Sequence, residues 1–197
     1  IFAKTIHTLH YISMKNLIHH RSLLPGVIIA CISLSSCSDE MKTISSRTEM
    51  RFADGTLVLT PVAKNAVRIQ YAKEHKYQLP EEWLYPDLKE QKASAMQVKV
   101  STKTEQVFIY DENDCLVTTI SKHDLAPTTV QGKEAYRASI VIDSPDDEYI
   151  TGLGQFQDGL GNLRGVSRRL TQVNTQISIP MMLSNKGYGL LWNNYGM

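Results

Sequence analysis

Five glycines and a cluster of planar, hydrogen-bonding side chains share one stretch near the C-terminus. Residues 152–172 hold Gly152, Gly154, Gly159, Gly161 and Gly165. Among and just after them stand Gln155, Phe156, Gln157, Asp158, Asn162, Arg164, Arg168, Arg169, Gln172, Asn174 and Gln176. Glycine at that density permits positive φ and close backbone approach, which predicts a long shaped loop and not a strand or helix. Carboxamide, carboxylate and guanidinium groups supply the paired donors and acceptors that a polyhydroxylated ligand such as a sugar requires. Phe156 is expected as a packed anchor more than a stacking platform. The same side chains suit contact with another domain, where Arg168 and Arg169 would pair with acids. Residue types alone leave both uses open.

Other chemistries are poorly supplied. Glu81 and Glu82 are adjacent, so their carboxylates point in different directions, and Asp146, Asp147 and Glu148 follow Pro145 in an expected solvated turn. No glycine-rich phosphate loop runs into a helix. Beyond residue 37 the histidines are His75 and His123, far apart and each in polar sequence, expected at the surface. Metal-ligand spacing is missing, and neither a metal nor a cofactor is implied.

The elements that would position the loop read as β. From Phe52 the apolar period is two: Leu57 and Leu59, then Val67, Ile69 and Tyr71, then Met96, Val98 and Val100 alternate with more polar neighbours. Each predicts a strand with one buried and one wetter face. Residues 106–110, a turn over 111–114 and residues 115–120 form the clearest hairpin, and Cys115 at its return is expected as a small core residue. Strands follow over 135–142 and 149–153. Residues 176–192 close the series as a hairpin turning at Asn185-Lys186-Gly187. Pro80 and Pro86 exclude a long helix in 77–92, leaving one turn at 81–84. The pattern is an antiparallel β-sandwich, not alternating β and α units.

The N-terminal part is different. Before Cys37 there are three basic residues, Lys4, Lys15 and Arg21, and no acidic ones; 18 basic residues then stand against 20 acidic. The remainder therefore lacks the basic balance expected of a nucleic-acid partner. Met14, Lys15 and Arg21 begin a leader whose apolar run is too short to span a bilayer. Leu34-Ser35-Ser36-Cys37 resembles a bacterial lipobox, with lipidation at Cys37 and attachment to a membrane. The expected division is upstream translation without a structural role over 1–13, a lipoprotein signal peptide with a helix over 14–36, a tether over 37–51 and the sandwich over 52–197. Cys31 falls in the leader, so Cys115 is the one cysteine expected to remain without lipid. The expected location is a bacterial outer membrane, on its periplasmic or surface side.

The runs GLGQFQDG, QVNTQISIP and SNKGYGLLWNNYG resemble the N-terminal β-sandwich of glycoside hydrolase family 31, the α-glucosidases and α-xylosidases. The resemblance is close over about 149–196 and compatible back to Phe52. It implies a galactose mutarotase-like sandwich before a catalytic (β/α)₈ barrel. The barrel would bind an α-linked oligosaccharide and carry both catalytic aspartates, so no catalytic residue is assigned in this chain. By the same resemblance Asp158, Asn162 and Arg164 form a rim toward substrate, and Arg168, Arg169, Gln172 and Asn174 face the barrel. Gln155 stands where the family more often has Glu. A non-catalytic carbohydrate-binding sandwich is the rival from another class. A mutarotase-like enzyme would need a histidine and a carboxylate facing one groove.

Overall fold

The computed structural model describes residues 7–13, 40–73 and 96–193. The expected leader helix, Cys37, His75 and the turn at 81–84 lie outside them. The described chain is all β, in two antiparallel sheets. The strands are β1 (His7–Ser13), β2 (Met41–Ile44), β3 (Thr48–Arg51), β4 (Gly55–Ala63), β5 (Ala66–Lys73), β6 (Gln97–Ser101), β7 (Val107–Tyr110), β8 (Leu116–Val130), β9 (Lys133–Ile142), β10 (Ile150–Gln155), β11 (Ile177–Ser184) and β12 (Tyr188–Asn193). One sheet runs β10-β11-β12-β1-β5-β4-β3 and the other β2-β6-β7-β8-β9.

The core lies between them. Leu57, Leu59, Ile69, Tyr188 and Leu190 of the larger sheet share one buried cluster with Val98, Val100, Val107, Ile109, Ile120 and Leu125 of the smaller. Inward alternation is clean in β6, where Val98 and Val100 are buried and Gln97 and Lys99 half-buried. In β4 and β5 the alternation fails: Thr56, Val58, Arg68 and Gln70 are buried along with their apolar neighbours. These two central strands have no wet face.

Four further expectations give way to the structure. The stretch 37–51 is not simply a tether, because β2 joins the smaller sheet and β3 the larger, burying Ile44 and Met50. A single apolar side chain in each four-residue strand is too faint a period to notice in sequence. His7–Ser13, expected to have no structural role, pairs antiparallel with both β5 and β12 and, among the described residues, is the link between them within the sheet. Cys115 is exposed, since its backbone belongs to the turn held by the Asp111 carboxylate. The side chain of His123 is only 9% exposed, because β8 runs past its expected end and carries it under the sandwich.

Glu148 is the fifth correction. Asp146 and Asp147 do face solvent, but Glu148 is buried. Its Oε1 accepts hydrogen bonds from Ser184 Oγ at 2.5 Å and from Tyr188 Oη at 2.7 Å. Burial alone would raise its pKa. Hydrogen bonds from the Ser144, Ser184 and Tyr188 hydroxyls, with the charge of Lys186, outweigh that and hold it below the ordinary carboxylate value. The same contact, after burial, helps push Tyr188 up to about 12. Around this carboxylate the turn between β11 and β12 is stitched to the start of β10: Asn185 Oδ1 accepts from the Tyr149 N–H at 2.7 Å, and Asn185 N–H donates to the Tyr149 carbonyl at 3.0 Å.

A depressed carboxylate stabilises the fold above its unfolded pKa and loses that contribution as pH falls through the folded value. Glu148→Gln is therefore expected to destabilise the chain at neutral pH by about 1–3 kcal/mol. The deficit against wild type should shrink below pH 4.5, the ordinary value for this group. Denaturant melts of both proteins across that range check it; a deficit that is constant with pH would remove the carboxylate's charge from the account.

The tripeptide 152–154 sets the shape of β10. Gly152, Leu153 and Gly154 have φ of 109°, 61° and 103°, and the register with β11 shifts between Gly152 and Gly154. A Cβ on Gly154 would run into the Ile177 carbonyl of the paired strand. Gly159 also has positive φ, at 71°, but open space around it. Gly154→Ala is expected to cost about 1–3 kcal/mol or more, from backbone strain plus collision. Gly159→Ala should cost about 1–2 kcal/mol from strain alone. Thermal melts of the two variants should rank them in that order, and equal losses would show that the bulge tolerates a side chain.

Candidate functional site

The glycine-rich stretch begins as strand, not loop: Gly152 and Gly154 belong to β10, and the loop proper is residues 156–176. It leaves β10 where the positive-φ bulge turns the chain, and it is pinned back at its middle. Leu163 is buried, its N–H donating to the Ile150 carbonyl at 2.8 Å. Asn162 Oδ1 accepts from two backbone N–H groups, those of Ile150 at 3.2 Å and Arg164 at 3.0 Å. The Arg164 guanidinium reaches the β9–β10 connection, donating to Asp146 Oδ1 at 3.0 Å and the Ser144 carbonyl at 3.3 Å. Near the return to β11, Gln172 Oε1 accepts from the Ser178 N–H at 3.1 Å.

Between β10 and the first half of the loop lies an open pocket of about 290 Å³, lined chiefly by Gly154, Gln155, Phe156, Asp158, Leu163 and Arg168. That is near the lower end of the volumes of small-molecule sites, about 300–1,000 Å³. Its polar wall is one assembly. Arg168 Nη2 lies 2.7 Å from Asp158 Oδ2, and its guanidinium sits 3.9 Å over the Phe156 ring. The Arg168 side chain is 8% exposed, and its Nε is buried without a hydrogen-bond partner. The hydrogen bond from Arg168, with the Leu160 N–H second, holds the Asp158 carboxyl below its ordinary value. Asp158 is thus an ionised acceptor, 42% exposed, held by a guanidinium on the same wall. Its carboxylate can accept a hydrogen bond from a hydroxyl in the pocket.

The structure divides the residues that sequence singled out. It gathers Asp158 with Arg168 and Phe156 on the pocket wall. Asn162 and Arg164 do not line that pocket; they hold the loop's conformation. Gln172 closes the loop's base, and Arg169 and Asn174 are exposed. Sequence missed Leu163 and Glu148: one is a lone apolar residue among polar ones, the other the third member of an acidic run. On the loop and the start of β11, Leu160, Val166, Leu170, Val173, Ile177 and Ile179 are exposed, the last two at 48% each. Among the described residues no group of three or more His, Cys, Asp or Glu side chains could hold a metal ion.

No protein-family model matches the chain. It is 41% identical over 59 residues to an uncharacterized family 31 glucosidase of Pseudescherichia vulneris, covering 30% of this chain and 11% of that protein. An α-xylosidase of Saccharolobus solfataricus is 28% identical over 114 residues, covering 53% of this chain and 15% of the relative. Among solved structures, the GH31 α-xylosidase of Xanthomonas citri superposes with a TM-score of 0.59 at 23% identity, over 77% of this chain and 18% of the other. A GH31 α-xylosidase from a soil metagenome, complexed with xylose, gives 0.62 at 24% identity, over 79% and 28%. The chain spans less than a third of the length of each of these proteins. Sequence relatives and shared fold agree: this chain matches part of a glycoside hydrolase family 31 protein.

Proposed function

We propose that this chain is the substrate-side β-sandwich of a retaining α-glycosidase that hydrolyses an α-xyloside or α-glucoside. The pocket walled by Asp158, Arg168 and Phe156 carries the reading. Its ionised carboxylate supplies an acceptor for a sugar hydroxyl, and the Phe156 ring and the loop backbone complete the wall. Relatives that include two GH31 α-xylosidases, one complexed with xylose, point to the sugar class. Retaining hydrolysis uses two carboxyl groups about 5–5.5 Å apart, one as nucleophile and one as acid/base. In this proposal both come from a barrel outside the chain, and Asn162 and Arg164 keep the loop in the shape that presents Asp158. The exposed apolar residues from Leu160 to Ile179, with Arg169 and Asn174, form the face toward that barrel.

One wall of a subsite binds weakly, with Kd in roughly the millimolar range. Xylose titrated into the isotope-labelled chain should shift amide resonances of the pocket wall and loop, and Asp158→Ala should abolish those shifts. The chain alone should release no nitrophenol from a nitrophenyl α-xyloside. Shifts unchanged in Asp158→Ala, or confined to the opposite end of the sandwich, would refute the assignment; nitrophenol release lost on mutating a residue of this chain would refute its non-catalytic role.

The second part of the proposal is a lipid anchor. The basic residues of 14–21, the short apolar run and Leu34-Ser35-Ser36-Cys37 support cleavage before Cys37 and its lipidation, placing the protein on a bacterial outer membrane. Labelled palmitate should enter the chain expressed in a bacterium with lipoprotein processing, and Cys37→Ala should lose the label. Equal labelling of both proteins would sink the anchor.

A further inference from the structure

Two contacts on the Asp158 carboxylate leave each of its oxygens half used. Oδ1 accepts from the Leu160 N–H at 3.2 Å, and Oδ2 lies 2.7 Å from Arg168 Nη2. An ionised carboxylate offers about four lone-pair positions, shared between its oxygens. With one donor on each oxygen, each keeps room for another. Asp158 lines the pocket and is exposed, so that room is open to a ligand.

The carboxylate is also held from both sides. Gly159, with φ of 71°, turns the chain so that the Leu160 N–H reaches back to Oδ1. Arg168 comes from the far arc of the loop, beyond the point where Leu163 is pinned to β10. Its guanidinium is fixed in turn, stacked 3.9 Å over the Phe156 ring and enclosed at 8% exposure. A planar group stacked and enclosed in this way has a set direction for its hydrogen bond. That hydrogen bond first, and the Leu160 N–H second, hold the Asp158 carboxyl below its ordinary 3.8.

We propose that Arg168, acting through Asp158, makes the pocket a receptor for a vicinal diol, each carboxylate oxygen accepting from one of two neighbouring sugar hydroxyls. This rests on reading the pocket as a sugar site, and adds which feature of the sugar is read. Two oxygens on one carbon suit two hydroxyls on adjacent carbons, as they suit the paired N–H groups of a guanidinium. A lone hydroxyl would use one oxygen only. Equatorial hydroxyls separated by a further ring carbon stand too far apart to share the carboxylate. Arg168 is a positioning residue here: it touches the carboxylate, and the carboxylate touches the sugar.

The test uses the full chain and methyl α-xyloside, which carries three hydroxyls on successive ring carbons. Removing the middle hydroxyl leaves two that are not neighbours, whereas removing either outer one leaves a vicinal pair. In titrations followed by amide resonances of the pocket wall, the analogue without the middle hydroxyl should bind about tenfold more weakly than the parent. At least one analogue lacking an outer hydroxyl should bind within about threefold of the parent. Equal losses from all three deletions, or no loss from the middle one, would overturn the diol. A wild-type chain that ignores methyl α-xyloside itself would instead sink the sugar reading beneath it.

The Arg168 role is read without any sugar. The carboxyl carbon signal of Asp158, assigned by its absence in Asp158→Asn, should titrate below 3.8 in wild type and nearer 3.8 in Arg168→Gln. Arg168→Lys keeps the charge without the planar fork, so it should keep the carboxyl depressed yet bind methyl α-xyloside about tenfold more weakly. Wild-type affinity in Arg168→Lys would overturn the positioning role. In the wild-type chain the Arg168 Nη protons should give separate signals, as a held guanidinium does. Averaged signals from a freely turning group would overturn that role even if the Arg168 variants fail to fold.

Discussion

A buried carboxylate holds the working end of this sandwich together. Glu148 gives up its hydration to sit against Ser184 and Tyr188, and an unpaired charge there would be untenable. The hydroxyls that bind its Oε1 belong to β11 and β12, whereas Glu148 itself leads into β10. The bond network therefore decides how the edge strand β10 meets the hairpin beside it. The turn residues Asn185 and Lys186 repeat the connection on the outside, through Tyr149 and Asp147. Everything that follows in the chain, from the bulge to the far side of the loop, starts from a strand whose origin is fixed by this contact.

Strain and support then alternate along the chain. Three consecutive positive-φ residues bend β10, and the bend lies against β11 where glycine alone lets the backbones approach. A loop of about twenty residues would ordinarily be mobile. This one returns to its own strand at Leu163 and Asn162, and to the β9–β10 connection through Arg164. It is thereby divided into two shorter arcs, and the first arc carries Asp158. The division of labour is physical: side chains that spend their hydrogen-bonding capacity on backbone set the shape, and Arg168 spends its own on the Asp158 carboxylate of the pocket wall.

Sequence showed the strands best where one face is wet. The alternations in 96–101 and 107–110 and the turn at Asn185-Lys186-Gly187 were legible for that reason. β4 and β5 were legible as strands but not as doubly buried ones, because Thr56, Arg68 and Gln70 look like surface residues until their surroundings are known. Polarity misled in the same way at Glu148 and His123. Each is a titratable residue in a polar run, and only tertiary contacts take it from water. Cys115 erred in the opposite direction, an apolar-leaning residue left in a turn. At the site, composition located the loop and the right residue types, yet sequence could not separate Asp158 and Arg168, which line the pocket, from Asn162 and Arg164, which anchor it.

The place of β1 constrains the rest of the proposal. Among the described residues β5 and β12 meet within the sheet through His7–Ser13, which forms six register pairs with each. Those ladders satisfy rows of N–H and C=O groups on two strands whose side chains are mostly buried, where an open edge is costly. Cleavage before Cys37 would release the segment that carries them. A lipidated molecule and a seven-stranded sheet closed by this segment are therefore alternative states of the chain. In the lipidated state the seat between β5 and β12 must be filled by another strand, or the sheet opens into β10-β11-β12 and β5-β4-β3. The Glu148 contacts with Ser184 and Tyr188 lie within the first of these groups and the connection into β10. Tyr71 and Lys73 also couple β5 to the smaller sheet, through the His123 ring and the Leu125 carbonyl. The Glu148 contacts on one side of β1 and the contacts of Tyr71 and Lys73 with the smaller sheet on the other are thus separate sets of bonds, joined within the larger sheet by the ladders of β1.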